Sequence, residues 1–173
     1  HYEKSDYGIL GVAGTKLLTE NGIWWAARES MYGSVTHTDG EKTWKSDYSY
    51  DFGNEIKNVV VVDGVFMSCM KDRIKKQFNE EYDNFHFYDI TFSFDNFKEG
   101  VKVGVHFDIR IIHSSIGETN DKWEENRAKF IANETKNLPK TSVIEVPYID
   151  SKIMVKNQKK LAIIIPTKNN VDE

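Results

Sequence analysis

Three groups of residues between Val59 and Gly117 carry side chains suited to chemistry, and each lies at the end of an apolar run. Asp89 follows an aromatic turn holding His86 and Tyr88 and opens a helix-like segment. A carboxylate there either caps the helix, where the dipole favours it, or acts as a general base on an acceptor hydroxyl. His113 ends a strand-like run and precedes Ser114-Ser115. Such an imidazole is either a hydrogen-bonded structural residue or one ligand of a divalent metal whose carboxylates lie elsewhere. Asp63-Gly64 closes the run Val59–Val62. It reads as a strand-ending turn, or as a carboxylate offered to the hydroxyls of a polar substrate, with glycine allowing close approach. The ends of apolar elements are where α/β proteins place their chemistry.

Other chemistries lack their residues. No HExxH, EF-hand loop or paired CxxC is present. Neither Ser68-Cys69 nor Ser114-Ser115 sits in a GxSxG elbow. Gly8, Gly11 and Gly14 do not form GxGxxG, which argues against a Rossmann cofactor site. His86 and His106 read as surface or aromatic-cluster residues. Cys69, within FMSCM, reads as a buried, inert thiol.

The elements that must hold these groups alternate between strand and helix. Gly8–Gly14 (GILGVAG) is an apolar run punctuated by glycine, expected as a strand passing close to other backbone. Lys16–Asn21 has no decisive period, and Asn21-Gly22 marks a turn. Trp24-Trp25 cannot both point inward on a strand, so one belongs to the core and the other is partly exposed. Ser30–Tyr50 is expected as a β-hairpin around Thr38-Asp39-Gly40-Glu41. Asp51–Asn58 is a polar loop. Val59–Val62, β-branched and without alternation, predicts a strand covered on both faces.

Asp72 to about Phe78 is expected as a short helix. Tyr88–Lys98 is a firmer one, with Ile90, Phe94 and Phe97 at i, i+4 and i+7 and Gly100 at its end. Val101–Phe107 alternates apolar and polar residues, predicting a strand with one apolar face. Ile109–His113 is expected as the next strand. Lys122–Asn133 predicts an amphipathic helix whose apolar side holds Trp123, Phe130 and Ile131. Glu134 onward reads as a linker with a short strand near Val143–Val146. Leu161–Thr167 (LAIIIPT) predicts a buried strand.

Composition bounds the function. The 173 residues suffice for one domain with a sizeable core. A hydrophobic content of 39% and a charged content of 29% fit a globular chain rather than a disordered one. The net charge of −4, with no basic stripe, argues against nucleic acid as a partner. The single cysteine excludes an internal disulfide and a Cys-rich zinc site and suits a reducing compartment. No apolar run reaches the roughly 20 residues of a membrane span, so no transmembrane segment is expected. A polar opening at His1, with neither signal peptide nor initiator Met, suggests excision from a longer protein.

Taken in order, GILGVAGTK with Ile23-Trp24-Trp25, VVVVDGVFMSCMKD, FNEEYDNFHFYDITFSF, GVKVGVHFDIRIIHSSIG and Trp123 resemble the nucleotide-diphospho-sugar (GT-A) glycosyltransferases of the family-2-like group. The match is to their C-terminal, acceptor-side half. It implies an α/β fold, a partial GT-A-like mixed sheet with flanking helices and the hairpin as an excursion. By that likeness Asp89 is the catalytic base and His113 an imidazole ligand of Mn²⁺ or Mg²⁺. Asp63 and Gly64 line the acceptor pocket, with Trp25, His86, Tyr88 and Trp123 as further substrate contacts. Two positions depart from the family pattern: Tyr88 stands where an acid precedes the base, and Thr91 where a second acid is common.

The family's N-terminal half, with its Asp-x-Asp motif, does not precede His1. The expected organisation is therefore the C-terminal half of a transferase-like domain over 1–133 and a linker over 134–159. Residues 160–173 then open a following domain or return to the same sheet. The implied partners are a nucleotide-sugar donor and a glycan acceptor, with an inverting mechanism, in a cytoplasmic setting open to peripheral membrane association of the parent protein, as in bacterial cell-surface polysaccharide synthesis. The alternative is a non-catalytic carbohydrate-binding module in which Trp25, Trp123 and the aromatic turn stack on sugar rings.

Overall fold

The computed structural model describes residues 2–82, 85–114, 117, 119–142 and 161–164. In chain order the strands are β1 (Ile9–Gly11), β2 (Ala13–Thr15), β3 (Leu17–Leu18), β4 (Met31–Thr38), β5 (Thr43–Asp47), β6 (Lys57–Val59), β7 (Val61–Val62) and β8 (Met67–Met70). Helix α1 (Tyr88–Lys98) follows, then β9 (Val103–Val105), β10 (Ile112–His113), α2 (Asp121–Glu134), β11 (Lys140–Thr141) and β12 (Leu161–Ile164). One sheet runs β12-β8-β1-β9-β6 and a second runs β10-β4-β2-β7 with β5 on β4; β3 and β11 pair separately. Parallel β1–β9 and antiparallel β1–β8 pairing make the first sheet mixed. This is the α/β architecture that the sequence predicts, consistent with a partial GT-A-like fold.

Two chain segments belong to both large sheets. Residues 9–15 change sheet at Val12, and residues 57–62 change sheet at Val60. The two run side by side through the change: the Val60 N–H donates to the Thr15 carbonyl at 2.8 Å and the Asp63 N–H to the Ala13 carbonyl at 2.9 Å. Val59, Val60, Val61 and Val62 are fully buried, as a strand covered on both faces requires. Gly33 of β4 crosses this point at φ +102°, and a Cβ there would collide with the Val12 carbonyl.

Helix α1 packs on β7 and buries Ile90, Thr91, Phe92, Ser93, Phe94, Asn96 and Phe97, so only a narrow side meets solvent. Its buried hydroxyls turn back on their own helix: Thr91 Oγ1 donates to the Phe87 carbonyl at 2.7 Å and Ser93 Oγ to the Asp89 carbonyl at 2.6 Å. Helix α2 covers α1 through Phe130, whose ring meets Phe94 at 5.8 Å and Phe87 at 5.6 Å. The Asn120 side chain caps α2, accepting the Trp123 N–H at 2.9 Å. Lys98 Nζ ties the far ends of the two helices together, 2.6 Å from Glu134 and 2.9 Å from Asp95.

Several local expectations are corrected. Residues 72–78 form no helix, because the buried Asn96 of α1 claims that backbone. Asn96 Oδ1 accepts the N–H groups of Lys75 (2.7 Å) and Lys76 (3.0 Å), and Nδ2 donates to the Lys76 carbonyl (3.0 Å). The run Gly8–Gly14 is two strands, not one. Around β9 both faces are covered, and even His106 is 3% exposed, in edge contact with Phe66 at 6.3 Å. The strand expected over Ile109–His113 shortens to Ile112–His113. Leu17–Leu18, undecided from sequence, pairs with Lys140–Thr141. The strand near Val143–Val146 lies outside the described residues, as does the end of Leu161–Thr167. Leu161–Ile164 pairs antiparallel with β8.

Asn96→Ala should lower the unfolding free energy by roughly 2–4 kcal/mol, since it strips buried backbone N–H groups of their acceptor. Urea unfolding reads this as a lower midpoint with an unchanged m-value.

Candidate functional site

The site begins at the junction of β7 with α1. β7 delivers Asp63 and Gly64 at its end, and the first turn of α1 lies directly over them. Gly64 N–H donates to Asp89 Oδ2 at 2.7 Å, while Tyr88 Oη donates to the Gly64 carbonyl at 3.1 Å. Glycine is required here for a steric reason: a Cβ at position 64 would collide with Tyr88 Oη and lie 3.0 Å from Asp89 Cβ. Asp63 Oδ1 accepts the Val65 N–H at 3.1 Å, which closes the turn.

The turn that presents Asp89 is strained. Phe85 and Phe87 adopt φ +59° and +64°, a left-handed conformation that bulky side chains rarely take. Each such residue costs on the order of 1–3 kcal/mol, and such outliers cluster where a chain positions functional groups. Phe87 occupies the N-cap position without a side-chain cap, so the first turn depends on other acceptors and donors, Gly64 among them.

The two carboxylates lie close enough to repel each other. Burial, then the charge of Asp89, push the Asp63 carboxyl up to about 7. Burial also raises Asp89, opposed by the N–H groups of Gly64 and Ile90 and by the nearby His86 imidazole. Burial raises the Tyr88 phenol, and the charges of Asp89 and Asp63 raise it further. Both acids are thus held above the ordinary carboxylate range, and the N–H groups of Gly64 and Ile90 favour the charged form of Asp89.

An aromatic wall borders the pair. The rings of Tyr48 and Trp24 meet at 5.5 Å, Trp24 and Trp25 at 5.8 Å, Trp25 and Trp123 at 5.7 Å, and Trp123 and Phe87 at 5.6 Å. Burial and the charge of Asp63 raise the Tyr48 phenol, which places that end of the wall beside the carboxylates. Arg28 lies over the Tyr48 ring, 5.4 Å from its centre. Trp24 is core, 6% exposed, and Trp25 is 43% exposed, the division the sequence requires, although both sit in a turn rather than on a strand.

The structure thus brings together Asp63, Gly64, His86, Tyr88 and Asp89, with Trp25 and Trp123 joined to them through Phe87 and Tyr48. His113 lies apart from them. It is the direct partner of His37 across β10 and β4, with ring centres 5.6 Å apart. His37 is four residues beyond Gly33, which is level with Ala13 and hence with Asp63. That is about 13 Å along the strand, and β2 lies between β4 and the end of β7 that carries Asp63. Among the described residues no three His, Cys, Asp or Glu side chains gather as a metal set. His113 meets a second imidazole, that of His37, a donor pair suited to an imidazole-preferring ion and lacking the oxygens that Mg²⁺ favours.

Tyr48, Arg28 and His37 escape the sequence reading. His37 opposite Trp44 follows from the Asp39-Gly40 hairpin register, but nothing local signals that β10 would align His113 with the same residue. Tyr48, just past β5, is held by its N–H bond to the Gly33 carbonyl at 2.9 Å, and Gly33 pairs with Ala13 of β2.

A family model described as a glycosyltransferase-like family matches residues 1–134. The chain belongs to that family, and membership supports a general function in glycosyl transfer. Comparison with curated proteins and with solved structures gives no match. No helix among the described residues is long and apolar enough to cross a membrane.

Both carboxyls titrate above the ordinary 3.8, so between about pH 4 and pH 7 the folded chain binds more protons than the unfolded chain. Stability should fall as the pH rises through that window. Asp63→Asn should remove most of this dependence. At pH 8 it should stabilise the fold by about 1–3 kcal/mol, less than the full shift because the site is partly open to water, and at pH 4 by almost nothing. Urea unfolding at the two pH values checks the sign.

Proposed function

We propose that this chain forms the acceptor side of a glycosyltransferase, with Asp89 as the general base. The observation that carries this reading is the Asp63–Asp89 pair, fastened through Gly64 to the first turn of α1 and bordered by a partly exposed wall of indole rings. A base must keep its charge near neutral pH while its neighbour holds a proton; divergent environments for two adjacent acids produce that division.

In the complete enzyme the acceptor hydroxyl transfers its proton to Asp89 as its oxygen bonds to the anomeric carbon of a nucleotide sugar. The bond from that carbon to the diphosphate breaks, and its electron pair leaves with the diphosphate. Attack from the face opposite the leaving group inverts the anomeric centre. Protonated Asp63 donates a hydrogen bond to the acceptor, and Gly64 and Tyr88 keep both carboxyls in place. Trp25 and Trp123 stack on sugar rings of the acceptor, since the apolar faces of pyranose rings match an exposed indole. His86 moderates the charge of Asp89. His113 would hold the divalent ion, Mn²⁺ or Mg²⁺, that the resemblance implies, and that ion would supply charge neutralisation to a diphosphate oxygen.

A second reading, an acceptor-recognition module without catalysis, is favoured by the Trp25–Trp123 wall, which needs no base. Calorimetry separates the two: nucleotide-sugar binding by this chain argues against a pure acceptor module.

In the full-length enzyme Asp89→Asn should lower kcat by about 10²–10⁴-fold, the usual worth of a general base, with the donor dissociation constant nearly unchanged. Trp25→Ala should weaken acceptor oligosaccharide binding by about tenfold. Full activity in Asp89→Asn would remove the base assignment.

A further inference from the structure

We propose that His37 and His113 together form a two-imidazole site for a first-row transition metal ion, on the end of the hairpin sheet away from the carboxylates. The resemblance names one imidazole; the sheet register supplies the second. β4 and β10 run parallel with His37 and His113 as direct partners. Directly paired residues on adjacent strands project from the same face, and the two ring centres are 5.6 Å apart. One ion with metal–nitrogen bonds of about 2.0–2.1 Å can bridge rings at that spacing after a small rotation.

Three further observations support a ligand role. Both histidines are half-buried, so their rings have limited freedom to lose on binding. Among the described residues neither ring takes part in a hydrogen bond or ion pair; their contacts are with each other and with Trp44. Trp44, the partner of His37 on the other side of β4, stacks on it at 5.6 Å with planes 17° apart and holds its orientation. Trp44, His37 and His113 therefore form one row across three strands. The row lies on the face of β4 that buries Met31 and Val35 nearer its start, where that face emerges from the core.

The donor set determines the ion. Two neutral imidazoles favour Co²⁺, Ni²⁺, Cu²⁺ and Zn²⁺ over Mg²⁺ or Ca²⁺. With no third protein ligand among the described residues, the remaining positions are left to water or to an oxygen of a bound phosphate. This extends the assignment of His113 and is independent of Asp89 and the aromatic wall.

Zinc titration of the chain by calorimetry, with His37→Gln and His113→Gln variants, tests the proposal. One ion per chain is expected, with each variant weakening it about tenfold or more and with His1, His86 and His106 left in place as controls. Cu²⁺ should quench the emission of Trp44; Trp44→Phe should keep zinc binding and lose that part of the quenching. In the unaltered chain, Zn²⁺ should shift the imidazole NMR signals of His37 and His113 together, a readout that needs no variant. Zinc binding unchanged in both glutamine variants, or signals that shift only at other histidines, would overturn it. Oligosaccharide binding measured in a chelator is indifferent to this site, so failure here and failure of the acceptor reading are distinguishable.

Discussion

The structure depends on how closely the first turn of α1 approaches Gly64. A glycine without a side chain lets a backbone N–H reach the Asp89 carboxylate at 2.7 Å while its carbonyl receives the Tyr88 hydroxyl. One residue thereby joins strand to helix through a donor and an acceptor on the same peptide segment. Any side chain at this position would push the helix away and separate the two acids. The left-handed Phe85 and Phe87 are part of the same arrangement, since they turn the chain sharply enough to begin α1 above the end of β7.

Proximity of the acids follows from that contact, and their electrostatics follow from proximity. Two carboxyls in a partly dehydrated corner cannot both ionise cheaply. The N–H groups of Gly64 and Ile90 favour the charged form of Asp89, and that of Val65 the charged form of Asp63. Backbone donors around the start of α1 therefore give two residues of the same type different surroundings. The indole wall sits beside this corner because Phe87 belongs both to the strained turn and to the ring series through Trp123.

Much of this was legible in the residue order. The hairpin announced itself by Asp39-Gly40, and the Asp39 side chain indeed accepts the N–H groups of Glu41 and Lys42. Helix α1 was readable from Ile90, Phe94 and Phe97, and α2 from its amphipathic period. What local pattern could not show was competition between distant segments. Residues 72–78 have helical character, yet the amide of Asn96 takes up the backbone N–H groups of Lys75 and Lys76 and the Lys76 carbonyl, and no helix forms. The alternation in Val101–Phe107 suggested an open face, but β1 and β6 flank β9 and its surroundings are covered. Asp63, Gly64 and Asp89 were identifiable from their positions at element ends; the neighbours Tyr48 and His37 arise from strand register across the whole sheet.

The passage of residues 9–15 and 57–62 through both large sheets has a mechanical consequence. Neither sheet can tilt as a separate plate, because the two crossing segments would have to bend at Val12 and Val60, where they are fully buried and bonded to each other. A displacement imposed at the hairpin is carried by β4 and β2 to the end of β7, and so to Asp63. The carboxylate corner thus rests on a braced frame whose stiffness comes from continuity of the chain rather than from any cross-link.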